Sequence, residues 1–105
     1  MVGRQEIVVE AVTWQEPGRV FLRVIPPRGI DLQCIYRTAM CIYWDPGAQE
    51  LQDRSTTEAS PSASARRIAQ ALREELGLSL KPSAGIRWNG IDEERRAGVA
   101  EALFR

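Results

Sequence analysis

The stretch Ile35-Tyr36-Arg37-Thr38-Ala39-Met40-Cys41-Ile42-Tyr43-Trp44, running into Asp45-Pro46-Gly47, decides how the rest of the chain is read. It is the densest run of aromatic, β-branched and sulfur side chains in the protein. Alternation puts Cys34, Tyr36, Thr38, Met40, Ile42 and Trp44 on one face, and Ile35, Arg37, Ala39, Cys41 and Tyr43 on the other. Both faces are largely apolar, which predicts a central strand over Cys34–Trp44 covered on both sides. Two helices cover only one face of a sheet, so the second face asks for another subunit.

Working outward, Gln5–Trp14 reads as a strand with Ile7, Val9, Ala11 and Thr13 towards the core, and Glu6, Val8, Glu10 and Val12 on the other side. Glu16-Pro17-Gly18-Arg19 is turn chemistry, and Val20–Ile25 returns to close a hairpin. Pro26-Pro27 ends that strand, because neither proline donates to a ladder. Ile30–Gln33 is open between a loop, a helical turn and an early start to the central strand. Downstream, Asp45-Pro46-Gly47-Ala48 repeats the turn chemistry, and Gln49–Arg54, with Leu51 as its one apolar residue, reads as a polar edge strand.

Ser55–Ser64 has no periodicity and reads as a linker. Ala65, Ile68, Ala69, Leu72 and Leu76 then form one helical stripe, with Ser62 or Ser64 as cap and Gly77 at the left-handed C′ position. Lys81-Pro82-Ser83-Ala84-Gly85 is a second break, and Ile86–Trp88 is a very short strand or a docked loop. Asp92 is a helix N-cap followed by Glu93 and Glu94, with Ile91, Ala97, Ala100, Leu103 and Phe104 as the buried face and Gly98 as a weak point. The expected fold is α+β in the order β-β-β-β-α-α. An antiparallel sheet of about four strands carries two C-terminal helices packed on one face. All of 1–105 forms a single domain: sheet 1–54, linker 55–64 and helical half 65–105.

At 105 residues, 44% hydrophobic and 27% charged, the chain is of a size and composition that folds without staples. Lys plus Arg and Asp plus Glu are balanced at 14 each, so no net field draws the molecule to nucleic acid or an anionic membrane. Only Lys81 among the cations is a lysine, a bias that a GC-rich genome explains as readily as recognition chemistry. No apolar run approaches a membrane span and no signal-peptide core is present, so the expectation is a soluble, cytoplasmic, bacterial-type protein.

There is no histidine, which removes the commonest general base and metal ligand and rules out Ser-His-Asp or Cys-His catalysis. Cys34 and Cys41 lie on opposite faces of the predicted strand, which sets aside a mutual disulfide and a zinc site. Gly85–Gly90 lacks the spacing of a phosphate loop. Asp31, Asp45, Glu50 and Asp53 flank the central strand and read as turn formers and solubilisers rather than a catalytic pair. Arg66-Arg67 and Arg95-Arg96 read as solvated helix faces diluted by neighbouring acids. No cofactor or metal is indicated.

The aromatic residues Trp14, Tyr36, Tyr43, Trp44 and Trp88 are the sharper signal, since aromatics with a polar tip are enriched at interfaces and in small-molecule pockets. Arg37 places a permanent charge inside the most apolar strand and needs an acid, such as Glu10, solvent at a sheet edge, or an anionic ligand or partner. In general style, Ile35–Gly47 and Trp88–Leu103, a compact sheet followed by Ala/Arg/Glu-rich helices, resemble the small proteins encoded by integron gene cassettes. That resemblance implies a bacterial, often metagenomic origin, a compact and frequently oligomeric protein, and no particular activity. The leading expectation is a non-catalytic binding module forming a homodimer through an aromatic-rich sheet face. The alternative is a small-molecule pocket, possibly enzymatic, between sheet and helices, lined by Trp14, Tyr36, Trp44 and Trp88. Nucleic-acid binding through Arg66, Arg67, Arg95 and Arg96 ranks third.

Overall fold

A computed structural model describes residues 5–15, 19–26, 29–30, 32, 35, 42–53 and 60–104. The fold is α+β. Strands β1 (Gln5–Gln15), β2 (Arg19–Ile25), β3 (Ile42–Asp45) and β4 (Glu50–Asp53) precede helix α1 (Pro61–Ala71). A π-helical turn (Leu72–Leu76), strand β5 (Leu78–Asn89) and helix α2 (Glu93–Phe104) complete the order. The five strands form one mixed sheet in the order β3-β4-β2-β1-β5.

The β1–β2 hairpin forms as its turn chemistry predicts, with antiparallel pairing from Val8 opposite Ile25 to Gln15 opposite Arg19. Its faces differ from simple alternation. Val9 pairs with Val24 and Ala11 with Arg23, so Glu10 is an extra residue on β1, a bulge. The bulge reverses the side-chain parity beyond it. Ile7 and Val9 are fully buried as predicted, but beyond the bulge the core takes Val12, not Thr13. Ala11 is only 5% exposed, yet it stands apart from the core cluster.

The decisive stretch is not one strand. Ile35 has helical backbone and Leu32 lies in a tighter 3₁₀ turn; both are buried in the core. Strand geometry begins at Ile42. An unbroken apolar run satisfies a buried helix turn as well as a two-faced strand, and periodicity alone does not separate them. Both cysteines, Tyr36 and Arg37 lie outside the described residues.

The sheet is mixed and five-stranded rather than antiparallel and four-stranded, because Leu78–Asn89 is one strand running parallel to β1. The break predicted at Lys81–Gly85 is absorbed within it. Val9 pairs with Pro82 and Ala11 with Arg87, so β5 fits four residues, 83–86, where β1 has only Glu10. An edge strand tolerates this: Pro82 lacks a donor, and the outer side of β5 has no ladder to supply.

Helix α1 starts earlier than its apolar stripe. Ser60 is the N-cap, its hydroxyl accepting from the Ala63 N–H at 3.2 Å, and Pro61 occupies the first turn, where a missing N–H costs nothing. Ala65, Ile68, Ala69 and Leu72 are buried as the stripe requires. The helix relaxes into the π turn and stops at Gly77, whose φ of 66° is left-handed. Asp92 caps α2, accepting from the Arg95 N–H at 3.0 Å. The buried face of α2 is Val99, Ala102 and Leu103, with Phe104 half-buried; Ala97 is exposed, contrary to expectation. The apolar faces of both helices join the same core cluster as Val20, Leu22, Val24 and Leu51 of the sheet.

Gly90 closes the link from β5 to α2 with φ +75°, and a Cβ there would collide with the carbonyl of Trp14. Gly77 has the same handedness but open space around it. Gly77→Ala should therefore cost only the left-handed backbone penalty, about 1 kcal/mol, while Gly90→Ala should cost at least about twice that. Urea unfolding followed by tryptophan fluorescence measures both; equal losses would show that the Trp14 approach imposes no constraint.

Candidate functional site

Strand register sorts the side chains into rows that run across the sheet. On the covered face one row reads Trp44, Leu51, Leu22, Val12, Trp88 from β3 to β5. Its three middle residues are fully buried and Trp44 is 8% exposed. Trp88 is half-buried and packs on the core at the β5 edge. Trp44 and Trp88 therefore share a row but stand four strand spacings apart, about 19 Å. They do not meet in one pocket. Trp14 is the next covered-face position beyond Val12 and pairs with Val20.

Trp14 does border a cleft of about 460 Å³, together with Ser60, Pro61, Ser62, Glu94, Arg95 and Gly98. Its walls are the end of β1, the first turn of α1 and the first turns of α2. Of the expected pocket residues that are described, only Trp14 lines it. Ser60, Pro61, Ser62, Glu94 and Gly98 were not candidates in the sequence. The signals present were the Ser-Pro pair of a capped helix start and a glycine inside a helix. The hydroxyls of Ser60 and Ser62 lie 3.2 Å apart. Arg95 approaches Asp92 at 3.7 Å, an exposed pair of the kind that contributes little.

On the open face two rows stand out. One reads Asp45, Glu50, Arg23, Ala11, Arg87, and the next Tyr43, Gln52, Phe21, Thr13, Asn89. Asn89 Nδ2 donates to Thr13 Oγ1 at 3.2 Å in the second row. Beyond them Ile25, the one large hydrophobic side chain exposed among the described residues, at 51%, pairs with Val8, and Val8 with Lys81. Arg23, Arg87 and Lys81 are exposed, whereas Phe21, Tyr43 and Val8 are half-buried. Tyr43 is thus the only described member of the predicted aromatic set on this face. The three tryptophans belong to the other.

The strongest polar cluster lies between sheet and helix. Asp53 at the end of β4 is 2% exposed, and its Oδ2 accepts from Ser64 Oγ at 2.7 Å, from Arg67 Nε at 3.1 Å and from the second Arg67 nitrogen at 2.5 Å. Arg67, read from sequence as part of a solvated pair, is instead the counter-ion of a buried acid; Arg66 beside it is exposed. Arg96 donates to the Ile91 carbonyl at 3.2 Å. The four arginines proposed as a nucleic-acid contact are thus divided among different tasks. Among the described residues no three Cys, Asp or Glu side chains are grouped to hold a metal ion, and no helix is long and apolar enough to cross a membrane.

No protein-family model matches the chain, and no curated protein matches it. Among solved structures the chain is similar to an integron cassette protein from the mobile metagenome of the North West Arm sewage outfall. The two are 25% identical over 96% of this chain and 98% of that one, with a TM-score of 0.41. This is the kind of protein that the residues of the sheet and helices resemble.

The Asp53 cluster predicts an asymmetry. Arg67→Met removes the counter-ion of a buried carboxylate and should cost about 3 kcal/mol. Asp53→Asn leaves Arg67, whose side chain is 37% exposed, free to turn to water, and should cost about half as much. Urea unfolding of the two variants checks the order of the losses.

Proposed function

We propose that the protein is a binding module, not a catalyst, that pairs with a second copy of itself through the open face of the sheet. The observation that carries this reading is the sorting of charge across that face. Asp45 and Glu50 sit on β3 and β4 at one side, and Arg87 and Lys81 on the β5 edge at the other, with Arg23 on the central strand β2 and Glu6 on β1 between them. A two-fold axis parallel to the strands lays the acidic edge of one copy over the basic edge of the other, and the reverse, as an isologous interface demands. An axis across the strands would set like over like.

One further feature supports a covered face. Ile25, Val8, Phe21 and Tyr43 supply an apolar strip between the charges. Five strands give a width of about 24 Å, but β3 and β4, four residues each, reach only about 13 Å, so two copies overlap over on the order of 400 Å² in projection, the scale of a weak, concentration-dependent pairing. The aromatic content of the interface is smaller than the sequence suggested, because the tryptophans serve the core and the cleft.

Sedimentation equilibrium at micromolar concentration should show a dimer that weakens as salt is raised. Ile25→Glu enters the interface twice and should raise the dissociation constant by roughly two orders of magnitude. A native chain that stays monomeric would end this reading.

A further inference from the structure

Three features outside the open face invite a role: the cleft at Trp14, a smaller recess between the helices, and the buried Asp53 cluster. The recess, lined by Arg66, Gln70, Arg73 and Glu101 among others, is a gap of about 280 Å³ that offers little apolar surface. The Asp53 cluster is internally satisfied, with no buried side-chain nitrogen or oxygen among the described residues lacking a partner. The cleft is different in size, in composition and in the residue at its floor.

Its volume of about 460 Å³ falls within the range of small-molecule sites. Trp14 and the buried Pro61 offer flat apolar surface. Glu94 and Arg95, adjacent on α2, put one negative and one positive group on the same rim. Glu94 has no hydrogen bond or ion pair with any described residue, and Arg95 has only its loose pair with Asp92. Gly98 is the most telling residue. A glycine there costs the helix up to about 1 kcal/mol relative to alanine. A Cβ built on it would meet only the Ser62 Cβ, at 3.9 Å, an ordinary contact. Close helix packing therefore does not require glycine at this position. What glycine keeps is the empty space of the cleft.

We propose that this cleft binds a small zwitterion with a flat apolar body, namely an aromatic α-amino acid. The ring lies against Trp14 and Pro61, the carboxylate meets Arg95, and the ammonium meets Glu94. Aromatic rings gain from offset or edge contact with indole, and the two charges of the ligand match the two on the rim in kind. A peptide terminus carries only one of these charges next to its side chain and is a poorer match. This site stands independently of how the open sheet face is used.

The test uses the full chain and the indole N–H signals of its tryptophans in ¹H–¹⁵N spectra, with Trp14→Phe assigning the relevant peak. L-Phenylalanine should shift the Trp14 signal and saturate. Phenylacetate and 2-phenylethylamine, each lacking one charge, should bind about tenfold more weakly, the worth of one charge-assisted contact. Glu94→Gln should weaken phenylalanine and 2-phenylethylamine but not phenylacetate; Arg95→Gln should weaken phenylalanine and phenylacetate but not 2-phenylethylamine. Gly98→Leu should abolish binding, whereas Gly98→Ala should fold with a raised melting temperature. If Gly98→Leu fails to fold, the two charge variants still decide. No shift of the Trp14 signal by L-phenylalanine up to its solubility limit overturns the proposal, and so does equal binding of all three probes.

Discussion

A carboxylate almost without access to water fixes where the helical layer lies on the sheet. Asp53 cannot leave its buried position at the end of β4 without abandoning three hydrogen bonds, and all three come from one turn of α1. Ser64 and Arg67 are three residues apart, so they project from one side of the helix. The clamp therefore sets both the rotation of α1 about its axis and its position along β4. Hydrophobic burial of Ala65, Ile68 and Leu72 supplies more free energy but is tolerant of small slides. The charged triad is directional and is not. Once α1 is seated, α2 packs beside it, and the first turns of both helices frame the cleft at Trp14.

The second constraint is the extra residue on β1. Without the bulge at Glu10, Thr13 would face the core and Trp14 the open side. With it, Val12 and Trp14 turn inward, and Ala11 takes a place in the charged row between Arg23 and Arg87. That small residue is buried without belonging to the core cluster. One inserted residue thus decides which aromatic side chains are available to each face.

This explains what the sequence could and could not convey. The hairpin, the glycine end of α1 and the Asp92 start of α2 were legible because each is written in local chemistry: turn residues, a left-handed glycine, an N-cap. The cap of α1 was expected at Ser62 or Ser64 and is Ser60, since several serines there offer the same chemistry. The faces of β1 were not, because a bulge leaves no compositional mark and alternation continues to look regular across it. The length of β5 was hidden by Pro82 and Gly85, which signal a break in an interior strand but are harmless at an edge with a mismatch in strand length. The helical backbone at Ile35 was hidden because a run that is apolar on every side fits either period. The cleft escaped notice for a related reason. Its other residues are 46 or more positions along the chain from Trp14, and only tertiary packing brings Ser60, Ser62, Glu94 and Gly98 beside it.

The two proposed surfaces do not compete. Thr13 and Trp14 are neighbours in sequence, yet one stands in a row of the open face and the other borders the cleft on the covered side. A strand delivers successive side chains to opposite sides by its pleat alone, so β1 serves both surfaces without a hinge. In the proposed face-to-face dimer the helices point outward, which leaves a cleft accessible on each outer side. The stability given up at Gly98 is local to α2 and falls on the side away from that interface. A ligand site and a self-association site can therefore change independently, by substitutions on alternate residues of the same strand.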